Sequence, residues 1–185
     1  MNTNKDYWKD AYQDFWDVAS AKEKSVKQLI EKQTNFEVII DGLGAGSTEY
    51  ISGSAEDHGS VKGDADLYIP EKDCYIEVTG PMIAMSYDKP LWIRPDKIQN
   101  TWNKIQAKKG KLHVVFHILK EKGTNKTIIR VIKLDSLFFQ HYITRKTFHE
   151  VNPIIRGRHE KYIEIPHEHE VIITLDDFFI LLKSI

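Results

Sequence analysis

The chain has 185 residues, long enough for one domain and short for two; at 41% hydrophobic and 29% charged it falls outside the disordered and membrane-spanning classes. Its single cysteine, Cys74, excludes an internal disulfide framework and a cysteine-based zinc cluster. The formal net charge of −1 hides an asymmetry: Lys89 to Arg130 holds eleven lysines and arginines against two acids, and the remainder holds fifteen basic and twenty-five acidic residues. A basic block of this kind is either a solvated surface or the footprint of a polyanionic partner.

Residues 5–33 read as helical with a break near Ala19–Lys22, because Trp8, Ala11, Tyr12, Phe15, Val18, Val26, Leu29 and Ile30 recur at three- and four-residue steps. Phe36–Ile40 is short and β-branched, a strand. Residues 41–63 form a long loop rich in Gly, Ser and acids, and its Gly42-Leu43-Gly44-Ala45-Gly46 lacks the ending of a phosphate loop. Asp64–Ile69 and Cys74–Thr79 are expected as two strands joined by the turn Pro70–Asp73. Pro90–Ile93 suggests a short strand. Pro95, Ile98, Trp102 and Ile105 then mark an amphipathic helix to Lys109, with Gly110 as its C-cap.

Two strands follow, Lys111–Leu119 and Thr127–Leu134, and Asp135 caps a short helix through His141. Residues 144–160 show no pattern. Tyr162–Ile165 and Val171–Thr174 are expected to pair as a hairpin, and Thr174 caps a helix over Leu175–Leu182 with Asp177 in the capping-box position. No internal repeat or linker divides the chain. One domain is expected over residues 1–185, with a core at about 22–134 and residues 135–185 as an extension of it. The polar start, Met1–Asp6, has no apolar signal-peptide core, and no apolar run approaches the roughly 20 residues of a membrane span. A reducing cytoplasmic location without a membrane partner is expected.

The chemistry concentrates in Gly63-Asp64-Ala65-Asp66 and Tyr75-Ile76-Glu77-Val78-Thr79. Side chains alternate along a strand, so Asp64 and Asp66 point the same way, and Glu77 shares a side with Thr79. Paired as a hairpin, the two strands bring Asp66 and Glu77 together at the end of the sheet. Two adjacent carboxylates are costly unless a cation neutralises them, and hard oxygen ligands suit Mg²⁺ or Mn²⁺. The same pattern also describes a hairpin with acids at a solvated edge.

Helix, strand, Gly/Ser loop, Asp-bearing strand, Glu-bearing strand, basic helix and further strand is an order that resembles the PD-(D/E)XK nuclease superfamily. The nearest branch is that of the archaeal Holliday-junction resolvases and their restriction-endonuclease-like relatives. The resemblance spans about Lys22 to Leu119. It implies an α/β fold with a mixed central β-sheet flanked by helices, and a metal-dependent DNA endonuclease acting on duplex or branched DNA. Asp66 and Glu77 would be metal ligands, with Asp64 orienting the metal shell and Glu23 contributing from the first helix. The motif places a lysine two residues after Glu77, where this chain has Thr79. A lysine from elsewhere must then supply the charge; Lys97, at the start of the next helix, is the first candidate and Lys62 the second.

Lys62, Lys104, Lys108, Lys109 and Lys111 would hold DNA phosphates, and cutting both strands makes a homodimer plausible. Thr79 also leaves open a catalytically inactive relative that binds DNA or a protein partner. A small-molecule or metal-binding α/β domain is the remaining alternative. His149, His159, His167 and His169 lack the spacing of a zinc hydrolase, and His167-Glu168-His169 reads as a solvated turn. Trp92 and Trp102 fall at apolar-face positions, which favours core packing over stacking on bases.

Overall fold

A computed structural model describes residues 19, 21–41, 65–155 and 157–185. The expected aromatic stripe before residue 19, the glycine-rich loop, Lys62 and Asp64 lie outside the described residues. The described chain is mixed α/β. Helix α1 covers residues 21–34. It is followed by β1 (Ile39–Ile40), β2 (Leu67–Ile69), a 3-10 turn (Pro70–Lys72), β3 (Cys74–Thr79), β4 (Leu91–Ile93), α2 (Pro95–Gln106), β5 (Leu112–Lys120) and β6 (Thr127–Lys133). Then come α3 (Ser136–Thr144), β7 (His149–Val151), β8 (Ile154–Ile155), β9 (Arg158–His159), β10 (Tyr162–Ile165), β11 (Ile172–Ile173) and α4 (Leu175–Ser184). No helix among the described residues is long and apolar enough to cross a membrane.

The main sheet has six strands in the order β1-β2-β3-β5-β6-β11. Only β3 and β5 run parallel, which requires the crossover that carries β4 and α2. Residues Leu112 to Leu119 of β5 are all buried because both faces of the sheet are covered. One face presents Ile76, Val114, Phe116 and Val131 to α1 (Val26, Ile30) and α4 (Phe178, Leu182). The other presents Val115 and Ile132 to Ile98 of α2, Phe138 of α3, and Leu91 and Ile163 of a second sheet ordered β4-β10-β7. Phe178 is fully buried and meets Phe116 edge-on at 4.9 Å between centroids. Truncating Phe178 to alanine is expected to lower stability by about 3–5 kcal/mol, seen as an earlier urea midpoint with little change in slope.

Several boundaries follow local chemistry. The turn after β2 closes at Asp73, which takes a left-handed conformation (φ 47°) and donates its N–H to the Pro70 carbonyl at 3.2 Å. The Asp135 side chain accepts from the Phe138 N–H at 3.1 Å and caps α3, and Thr174 accepts from the Asp177 N–H at 3.1 Å and caps α4. Gly110 does not cap α2. The helix ends three residues earlier with Lys108 left-handed (φ 55°), the Lys108 N–H bonded to the Ile105 carbonyl at 3.0 Å and the Lys109 N–H to the Lys104 carbonyl at 2.9 Å. Gly110 serves packing instead: a Cβ there would lie 2.6 Å from His113 Nε2 and 2.7 Å from the Tyr75 ring.

The C-terminal hairpin expected from sequence does not form. Strand β10 lies between β4 and β7 in the second sheet, and β11 joins the main sheet beside β6. The connection after β10 instead carries the chain from the second sheet to the edge of the main one. Residues 144–160, without pattern in the sequence, contain β7, β8 and β9, each only two or three residues long.

Candidate functional site

The β2–β3 register pairs Leu67 with Ile76, and the Asp66 N–H continues it to the Ile76 carbonyl at 3.1 Å. Asp66 therefore stands opposite Glu77. Parity along β3 puts Glu77, Thr79 and Tyr75 on the face covered by α2, because Ile76 and Val78 pack on the other. Pro95 sits in the first turn of α2 behind Arg94, whose extended backbone starts the helix. Lys97 thereby falls in that first turn, above β3.

The geometry is tight. Lys97 Nζ lies 2.8 Å from Glu77 Oε2 and 3.5 Å from Asp66 Oδ1. Asp66 Oδ2 accepts the Val78 N–H at 2.7 Å, which locks the carboxylate in the plane of the sheet edge. All three side chains are largely removed from solvent. Burial, reinforced by the neighbouring Asp66 charge, pushes the Glu77 carboxyl well above the usual carboxylate range, with Lys97 opposing. Against its own burial, the charges of Glu77 and Asp66 hold the Lys97 ammonium above its ordinary value. With both acids ionised, one lysine leaves one negative charge uncompensated in a poorly solvated place. That donor set fits a hard divalent cation, which uses one or two carboxylates and retains water. Among the described residues no group of three or more His, Cys, Asp or Glu is arranged to hold a metal.

The other expected residues are placed as follows. Glu23 is 5% exposed in α1, three residues before Val26, and so faces the sheet. Lys104, seven residues beyond Lys97 on α2, stacks its ammonium 4.2 Å over the Tyr75 ring. Its side chain borders a water-sized void with Glu77, Asn100 and His113. Lys108, Lys109 and Lys111 are exposed on the turn from α2 to β5. The described lysines thus follow the axis of α2 away from the carboxylates, Lys97 and Lys104 being about 10 Å apart along it.

Sequence reasoning missed a second set of cations. Lys22 Nζ donates to the Gly80 and Pro81 carbonyls at 3.1 and 3.0 Å. Arg130, only 3% exposed, donates from Nη1 to the Tyr87 and Lys89 carbonyls at 2.9 and 3.4 Å, and its Nε is buried without a hydrogen-bond partner. Together they fasten both ends of the loop from Gly80 to Pro90. Beside Arg130, His117 is held down to about 3 by burial and then by the guanidinium, so it is neutral at physiological pH. The signal available in sequence was slight: two His in one apolar strand and one Arg in the next.

Trp92 is not core. Leu91 and Ile93 point inward, so alternation turns Trp92 outward, where its indole N–H donates to Glu164 Oε2 at 2.9 Å and its ring leans on Tyr162. Trp102 packs on Phe139 at 4.7 Å, as an interior residue should. His169 is no solvated turn residue either, for its ring meets His141 at 4.5 Å and Phe148 at 4.9 Å where the turn presses onto α3. Comparison of the chain with protein-family models, curated proteins and solved structures found no significant match.

Proposed function

We propose that the chain is a metal-dependent endonuclease of the restriction-endonuclease-like, PD-(D/E)XK type that hydrolyses phosphodiester bonds in DNA. The observation that carries this reading is the convergence of Asp66, Glu77 and Lys97 on one buried point. The order of elements around them supports it: a helix, a strand pair bearing the acids, a crossover helix bearing the lysine, and a parallel strand.

Asp66 and Glu77 are the residues that would hold Mg²⁺ or Mn²⁺. Such an ion, when bound, supplies Lewis acidity and lowers the pKa of a coordinated water. Lys97 keeps a full positive charge through the neutral range and offers N–H donors to a phosphate oxygen or to the attacking water. Thr79 offers only a hydroxyl. The Val78 N–H keeps Asp66 from rotating away from Glu77. Incubation of the protein with labelled DNA, with and without Mg²⁺, is the deciding experiment. Metal-dependent scission that disappears in Asp66→Asn would support the reading.

The second reading is a nuclease-fold protein without activity that binds DNA or a protein partner. Thr79, standing where the motif has lysine, favours it, and absence of scission with retained DNA affinity would establish it. Wherever the partner is DNA, Lys104, Lys108, Lys109 and Lys111 would form the phosphate-holding surface. Changing all four to alanine is expected to flatten the salt dependence of DNA affinity by about 0.9 in logarithmic slope for each phosphate no longer neutralised. An unchanged slope would place the DNA elsewhere. A homodimer would supply two centres for two strands, and sedimentation with and without DNA tests that expectation.

A further inference from the structure

A cavity of about 660 Å³ opens at the C-terminal end of β3. Thr79 reaches it two residues beyond Glu77, Lys22 enters from α1, Met82 and Ile83 come from the anchored loop, and Trp92 and Tyr162 come from the second sheet. No acid is among the described lining residues, and apolar surface predominates. The volume falls within the roughly 300–1,000 Å³ of sites for small organic molecules and is far too large for an ion alone. Trp92 and Tyr162 lie 5.5 Å apart and tilted by 30°. The bond from Trp92 to Glu164 fixes the indole in its plane. Lys22 brings an amine to the wall, its pKa lowered by burial and then by the like charge of Lys120.

A wall whose described residues are aromatic and aliphatic side chains with one cation and no anion is complementary to a flat heteroaromatic ring joined to a phosphate. Within a continuous duplex the base faces are covered by their neighbours, so such a cavity is accessible only to a base that has left the stack. We infer that the cavity receives the base of an unpaired or extruded nucleotide whose neighbouring phosphate meets Lys97 and the cation that Asp66 and Glu77 would hold. The preferred substrate is then DNA with single-stranded, bulged or otherwise unpaired positions, rather than uninterrupted duplex. This inference rests on the nuclease reading and adds the substrate class to it.

The test measures binding in EDTA, where hydrolysis plays no part. Oligonucleotides carrying 2-aminopurine are offered as single strand, as duplex with a one-nucleotide bulge, and as continuous duplex, at one salt concentration. Single strand and bulge are expected to bind more tightly than continuous duplex, with a change in 2-aminopurine emission at the unpaired position. Trp92→Ala should weaken bulge binding by at least about fivefold, the low end for a base stacked on an aromatic ring, and leave continuous duplex unaffected. Ile83→Glu should act in the same direction; Ile83 is 71% exposed, so this change puts a negative charge at the rim without disturbing the core. Equal binding of the three DNAs, or a preference for bulged DNA that survives both variants, overturns the inference. So does loss of self-association in Ile83→Glu with DNA preference unchanged, which would assign the cavity to a second copy. Failure of the nuclease reading looks different: preference for unpaired DNA would persist, and added Mg²⁺ would produce no scission.

Discussion

Lys97→Ala is expected to slow Mg²⁺-dependent scission by at least about 100-fold, the lower range for loss of a positioned catalytic group. The amine stands 2.8 Å from Glu77 and 3.5 Å from Asp66, and the Lys97 side chain is only 17% exposed. Its removal takes away the cation that stands against the two carboxylates. Affinity for the metal should therefore hold or rise while the rate falls. A merely structural lysine would give the opposite pattern, weaker metal binding together with a lower melting temperature. Thr79→Ala should cost much less. Thr79→Lys in the Lys97→Ala background should restore part of the rate, because Thr79 shares the Glu77 side of β3. Cleavage by Lys97→Ala at the wild-type rate would remove Lys97 from the site.

Asp66→Asn and Glu77→Gln should each abolish scission while leaving DNA binding nearly intact. Each change keeps shape and removes ligand charge, and in Asp66→Asn the amide oxygen would still face the Val78 N–H. The two differ in their effect on folding. Burial raises the pKa of Glu77 in the folded protein, so between its unfolded value and the raised one the folded state binds more protons than the unfolded state. Stability conferred by the neutral acid is present below that window and is lost as pH rises through it. Glu77→Gln removes the titration. The metal-free variant should melt at a higher temperature than wild type at neutral pH and lose less stability between acid and neutral pH. Mg²⁺ should stabilise wild type and have little effect on the variant. Thermal scans with EDTA and with Mg²⁺ across that range measure both effects; a less stable Glu77→Gln at neutral pH would show that Glu77 is a structural ion-pair partner.

The geometry of this centre was legible because it depends on local rules. Period-two alternation and a turn at Pro70–Asp73 put Asp66 opposite Glu77, and a proline at the helix start set Lys97 in the first turn of α2. The C-terminal third was not legible for the opposite reason. Its strands have two to four residues, too few to show a period, and two of them take partners far away in sequence: β10 pairs with β4, and β11 with β6. Trp92 was misjudged because Leu-Trp-Ile is uniformly apolar, and only the inward placement of Leu91 and Ile93 reveals which side it faces. The buried cations went unrecognised since their partners are carbonyl groups, which every sequence supplies.

That last point bears on how the loop from Gly80 to Pro90 can diversify. Lys22 and Arg130 grip main-chain oxygens of Gly80, Pro81, Tyr87 and Lys89, and the Met85 N–H is bonded to the Lys120 carbonyl at 2.9 Å. Anchors of this kind do not depend on side-chain identity, so residues 82–84 can be exchanged without loosening either end. Gly80 is the exception: at φ +141° a Cβ would stand 2.0 Å from the Ile118 carbonyl oxygen. The fold thus separates a fixed frame from an interchangeable tip, and libraries of variants at Met82, Ile83 and Ala84 should yield folded proteins whose cavity rims differ in size and polarity.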